Sequence, residues 1–190
     1  SNSLEFIPMN SSVKPKDNFV MSIGGKTQIF KKLTIEGEYA FSVLTQNTRD
    51  ETISENNFSN SILKSVIIIN SSIVGYNAYK AAVGYKFKKC ELKANFEHID
   101  PGYTTLGGYF FNNDLENYTL SFNATTFKGK VNVGLNSGIQ FNNLDRQKAA
   151  TTNRLVGSII VSAAVSPKIN INAAYSNFSN FTRNRLRSDP

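Results

Sequence analysis

The 190-residue chain has no Trp, one Cys (Cys90) and one His (His98). A single cysteine rules out an intrachain disulfide and a cysteine zinc cluster, and one His with one Cys cannot assemble the usual nitrogen/sulfur metal sites. No apolar run approaches the roughly 20 residues of a membrane helix, and no secretory signal with a basic start and an apolar middle stands at the N-terminus. His98 is followed by Asp100, but no G-x-S-x-G nucleophile motif accompanies the pair, so it reads as a histidine in an ordinary hydrogen bond rather than part of a hydrolase. Gly24-Gly25 and Gly107-Gly108 lead into no helix start and no Lys-Ser/Thr pair, which excludes phosphate loops. The expectation is a protein without catalytic residues, metal or cofactor, and not an enzyme.

What is present is polar and aromatic together. Hydrophobic residues make up 40% and aromatic residues 12% of the chain, mean hydropathy is -0.28, and Asn and Ser are frequent. Disordered chains are poor in aromatic and β-branched residues, and this one is not. Membrane barrels have this blend, because one side chain in two faces lipid and the next faces a polar interior. The net charge of +7 is spread over Lys31, Lys32, Lys88, Lys89, Lys128, Lys130 and Lys168 at expected turns, with Arg183, Arg185 and Arg187 as the one compact basic run. Without a finger, helix-turn-helix or RNP pattern, this reads as solvated turns and a tail, with no nucleic-acid partner.

A period of two runs from Phe19 onward. Phe19, Met21 and Ile23 oppose Ser22, Gly24, Lys26 and Gln28. Leu33, Ile35, Tyr39, Phe41 and Val43 oppose Thr34, Glu36, Glu38 and Ser42. The alternation returns over 79–87, 90–97, 117–125, 131–141 and 169–176, while 155–165 is apolar on both faces. This predicts about eight strands, several near the 9–11 residues of a tilted membrane-crossing strand. Expected turns at Lys31-Lys32, Lys88-Lys89, Lys128-Gly129 and Ser166-Pro167-Lys168 are short. The connections 46–75, 99–114 and 142–153 are long, as expected of outer-membrane barrels with periplasmic turns and exterior loops. Across Lys88-Lys89 the register puts Lys86 opposite Glu91 and Lys80 opposite Glu97, and parity brings Lys26 near Glu36 or Glu38.

The expected fold is an all-β antiparallel up-and-down meander, forming a transmembrane β-barrel or a section of a larger one. Residues 1–16 are an N-terminal loop or linker, 17–182 the strands and 183–190 a loop or tail. Both strand ends fall on the long-loop rim, which favours an internal barrel section. Leu33, Ile35, Tyr39, Phe41, Val83, Tyr85, Leu120, Phe122, Val133 and Leu135 are expected to face lipid. Lys26, Glu36, Glu38, Lys80, Lys86, Glu91, Glu97, Asn132, Asn136 and Gln140 are expected to line the lumen. The clustered apolar residues at 66–69 and 109–111 suggest a lid or short extra strand, or else extensions of neighbouring strands.

The stretches FEHIDPGYTTLGGYFFNNDLENYTLSFN, GLNSGIQFNNLD and AAYSNFSNFT resemble outer-membrane β-barrel proteins of Bacteroidota, whether porin-like or a barrel section of the TonB-dependent-receptor kind. The resemblance covers the chain from about Asp17. It implies an outer-membrane location, lipid as a partner together with small solutes or other outer-membrane proteins, and a function in passage or attachment across that membrane. It transfers no catalytic residue, and no TonB box or plug domain is matched. The alternatives are a soluble or surface-exposed β-rich structural or adhesin domain, and a barrel-type outer-membrane enzyme.

Overall fold

The computed structural model describes residues 14–51, 66–108 and 112–184. Eight strands follow in chain order: β1 (Asp17–Ile29), β2 (Leu33–Thr45), β3 (Ile73–Lys86), β4 (Cys90–Ile99), β5 (Leu115–Thr126), β6 (Val131–Asn142), β7 (Ala150–Ser166) and β8 (Ile169–Asn184). They form one sheet in sequential order, β1 to β8. The only helix among the described residues is a single 3-10 turn at Phe127–Gly129. An antiparallel meander of eight long strands is therefore the fold. β1 and β8 are its two outer strands, and no pairing joins them among the described residues. By internal contacts the chain divides into two compact units.

The smaller unit takes in 14–21, 41–51, 66–76 and 104–108. Val43, Ile67 and Ile69 are buried together, with Phe19, Phe41 and Ile73 packed against them. Within 66–69, Val66 and Ile68 stay exposed while Ile67 and Ile69 are buried. This segment therefore extends neither β2, which ends at Thr45, nor β3, which begins at Ile73; it packs its alternate side chains on Val43. Polar side chains satisfy the irregular backbone. Asn70, fully buried, donates through Nδ2 to the Asn47 carbonyl (2.6 Å) and accepts the Ser72 amide (2.9 Å). Asn18 donates to Ser42 Oγ (3.0 Å) and the Val43 carbonyl (2.9 Å) and accepts the Leu106 amide (3.0 Å). Residues 109–111, expected to share the lid role, lie outside the described residues.

The larger unit takes in 22–40, 77–103 and 112–184. Its registers follow the expected parity: Lys80 lies opposite Glu97 and Lys86 opposite Glu91. One expected turn is displaced by one residue. Phe30 and Lys31 both have positive φ (48° and 57°), and the Lys32 amide donates to the Ile29 carbonyl at 3.1 Å. That is the mirror-image turn which matches strand twist, centred on Phe30-Lys31 rather than Lys31-Lys32. The turn at Lys128-Gly129 falls where expected: the Lys130 amide donates to the Phe127 carbonyl at 3.2 Å, Phe127 and Lys128 have φ of 51° and 56°, and Gly129, with φ 90°, adopts a backbone that only glycine takes without strain. Strand ends were under-read: β3 starts six residues before Tyr79, β7 starts at Ala150 rather than Leu155, and β8 runs to Asn184, so that Arg183 lies in a strand. These extensions carry mixed or polar residues, so the period-two signal fades there while backbone pairing continues.

Candidate functional site: a charged and amide-rich sheet face

The pairing in the larger unit sorts side chains into two faces of opposite character. On one face, Lys80, Glu97, Asn117, Gln140, Arg154 and Asn180 form a continuous row across β3 to β8. Nearer the short turns a second row holds Gly84, Lys93, Ser121, Asn136, Ser158 and Ser176, and Lys86, Glu91 and Asn123 start a third. Asn132 sits beside Thr125 and accepts its hydroxyl at 2.8 Å. All ten residues singled out from sequence fall on this face or are ion-paired to it. Glu36 takes Lys93 at 3.4 Å and Lys26 at 3.7 Å, and Glu38 takes Lys80 at 2.7 Å.

Lys80 thus pairs with Glu38 rather than with Glu97, its partner in register. A residue in an inner strand has a neighbour on each side, and the long lysine stem reaches either. The Lys88-Lys89 turn offers Lys80 only Glu97 as a partner, and Glu38 on β2 lies outside that hairpin. Lys93 shares the polar parity of Glu91 and Glu97 in the sequence but was not among the residues expected to line the lumen. Glu36, Lys80, Lys93, Asn95, Glu97 and Asn117 line a hollow of about 150 Å³, enough for several waters. Exposed pairs of this kind contribute about 0–1 kcal/mol each, so their role is to fix register and hold water rather than to stabilise.

The other face is apolar and ends in an aromatic row. Phe96 lies between Tyr79 (ring centroids 5.8 Å apart) and Tyr118 (4.9 Å), and Tyr118 meets Phe141 edge-on at 6.3 Å. On the long-loop side of this row sits a hydrogen-bond chain. His98 stacks on Tyr79 at 4.8 Å and faces Asp100 Oδ1 (3.1 Å) and Glu116 Oε2 (3.2 Å) with its two ring nitrogens. Asp100 Oδ2 accepts the Asn77 amide at 2.6 Å, Tyr39 donates to Asn77 Oδ1 at 2.6 Å, and Tyr118 donates to Glu116 Oε1 at 2.8 Å. The Asp100 contact was legible from sequence. The Glu116 contact was not, because it needs the β4–β5 register that sets His98 opposite Glu116. Among the described residues no group of three His, Cys, Asp or Glu side chains is placed to hold a metal.

Solvent exposure runs against the chemistry of the two faces. Val83 and Leu120 on the apolar face are 52% and 51% exposed, and Tyr79, Tyr85, Leu92, Tyr118, Leu135 and Ile139 are exposed too. On the polar face Ala82 and Gly84 are buried and Glu91, Lys93, Asn95, Glu97, Asn117, Thr119 and Ser121 are half-buried, while Lys80, Lys86, Asn123, Asn132 and Asn136 are exposed, so the contrast is drawn in β3 to β5. No protein-family model, curated protein or solved structure matches the chain.

Proposed function

We propose that this chain forms the wall of a bacterial outer-membrane β-barrel, with the apolar face against lipid and the charged, amide-rich face lining a hydrated interior through which small solutes pass. One observation carries the reading: across β3 to β5 most of the greasy side chains are exposed and most of the polar ones are partly sheltered. A soluble sandwich does the reverse, because burying apolar surface is its main driving force. In a bilayer the same arrangement is the stable one.

Dimensions and composition agree. From Tyr118 in the aromatic row to Phe127 at the short turn is nine residues, roughly 30 Å of strand, or about 23 Å of height at a tilt near 40°, close to the ~25 Å apolar band of such barrels. The short-turn rim carries the exposed rings Phe30, Phe87 and Phe127, and the long-loop rim carries Tyr39 and Tyr118 with their hydroxyl partners and Tyr79 stacked on His98. Two aromatic belts bounding an apolar band are what the lipid–water interfaces select. In lipid the free edges of β1 and β8 need strand partners, as in a closed barrel, since unpaired backbone is costly there. The resemblance to outer-membrane barrels of Bacteroidota supports the location. Mixed charges on the inner face set no solute preference.

The test is refolding of the denatured chain in the presence of phospholipid vesicles. Vesicle-bound protein should resist extraction by alkaline carbonate, show β-sheet infrared bands with tilted strands, and let small dyes leak. A chain that stays monomeric and folded without detergent or lipid would contradict the reading and favour the soluble β-domain.

A further inference from the structure

We propose that the long-loop rim of the larger unit holds a binding site for a phosphorylated polyol, of the sugar-phosphate class, between the β6–β7 loop and the end of β8. The β6–β7 ladder stops at Gln140 opposite Arg154, but β7 and β8 stay paired as far as Ala150 opposite Asn184. The hairpin end therefore overhangs its neighbour, and the loop after Asn142 turns back beside it. The result is a hollow of about 910 Å³, within the range of small-molecule sites. Among the described residues its lining includes Asn143, Arg146, Lys148, Asn153, Phe181 and Arg183, and no Asp or Glu.

Three features set the ligand chemistry. The first is cationic: Arg146, Lys148 and Arg183 surround the hollow, Lys148 is ion-paired to the buried Asp114 beneath it, and Arg183 has no ion pair among the described residues. A guanidinium presents a fork of donors matched to a phosphate. The second is an acceptor: Asn153 Oδ1 is buried and meets no donor among the described residues. A buried acceptor in this state is satisfied by a ligand that donates, and a hydroxyl group beside the phosphate supplies that donor. The third is the exposed ring of Phe181, an apolar wall for the C–H side of a polyol ring.

The site is rigid before any ligand arrives. Asp114 accepts the Asn143 amide (3.0 Å) and the Leu144 amide (2.7 Å). Asn143 accepts the Lys148 amide (2.8 Å) and donates to Thr151 Oγ1 (2.7 Å). Asn142 Oδ1 accepts the Thr152 amide at 2.7 Å. Preorganisation of this kind lowers the entropic cost of binding.

Calorimetric titration of the detergent-solubilised chain with glucose 6-phosphate, glucose and inorganic phosphate tests the proposal, beside nanodiscs carrying phosphatidylinositol 4-phosphate as the lipid-borne form of the same chemistry. Glucose 6-phosphate or the lipid should bind at least tenfold more tightly than glucose or phosphate alone, and whichever of the two binds identifies the source. Arg183→Gln should weaken that binding tenfold or more. Asn153→Leu should erase the preference for the hydroxylated ligand while leaving phosphate affinity unchanged, which a merely structural role would not do. Failure of both ligands to bind, or binding indifferent to Arg183→Gln, would overturn the proposal. The site does not depend on the membrane reading, so failure to insert into vesicles leaves it standing.

Discussion

β3 to β6 and the β7–β8 hairpin belong to one sheet and obey the same antiparallel pairing, but their side chains are distributed differently. In β3 to β6 the two faces are chemically distinct: Val83, Leu92, Leu120 and Leu135 share one, and Lys93, Ser121 and Asn136 the other. In β7 the apolar residues Leu155, Val156, Ile159 and Ile160 occupy both faces, and all sixteen residues of β8 are exposed. Alternation marks strands whose faces meet different surroundings. Apolar residues on both faces mark strands with apolar neighbours on both. Val156, Ile160 and Phe178 thus form an exposed apolar island on the otherwise polar face, where the row from Asn95 and Thr119 ends in Val156 and Phe178.

The contrast is broken most strongly by a charge on each face of β5. In a bilayer, Leu120→Arg should cost roughly 2–4 kcal/mol of unfolding free energy and Ser121→Arg little, as read by urea titration of the vesicle-bound protein. Equal costs would mean that lipid does not distinguish the faces.

A somewhat smaller effect is expected where the two regions join. Asp114 is 2% exposed and ties the β6–β7 loop through Lys148 and the amides of Leu144 and Asn143. Burial alone would raise its pKa, but Lys148 and the two amides outweigh burial and hold it below the ordinary aspartate value. A carboxyl group lowered on folding contributes stability that is fully present above its unfolded pKa and is lost as pH falls through the folded value. Asp114→Ala should cost about 1–3 kcal/mol at neutral pH, since it strands buried donors. The difference from the parent protein should shrink below the ordinary carboxylate range, and pH-dependent thermal unfolding would show it.

The hairpin itself gives a third test. Leu155→Asn should cost about 1–3 kcal/mol in a bilayer, whereas Val156→Asn on the polar face should cost less than about 1 kcal/mol if water reaches that face. A larger penalty at Val156 would show that the island is covered by another apolar element. The smallest effect is expected at Lys80 and Glu38, where a double-mutant cycle should give about 0–1 kcal/mol of coupling, falling as salt is raised.

Sequence carried much of this architecture. Strand number, the β3–β4 register and the common face of Lys80, Lys86, Glu91 and Glu97 follow from periodicity and a two-residue turn, which are local signals. The turn centre at Phe30-Lys31 was misplaced because that pair is not a usual left-handed turn former; pairing of the flanking strands dictates its backbone, whereas the glycine of Lys128-Gly129 marks its turn correctly. The Lys80–Glu38 and His98–Glu116 contacts were invisible for a different reason. They join strands whose connection or register the local pattern leaves open, and only the assembled sheet brings them together. The polar row continues through Arg154 and Asn180, which the sequence reading did not single out, since the alternation blurs in β7 and β8.

The natural absence of Trp makes the central claim directly measurable. Leu120→Trp and Ser121→Trp place one fluorophore on each face, one residue apart on the same strand. In vesicles, the Leu120→Trp emission should be blue-shifted and quenched by brominated acyl chains but not by iodide, and the Ser121→Trp emission should show the opposite pattern. Quenching of both positions by iodide, with neither touched by brominated lipid, would contradict an outward apolar face and a hydrated interior.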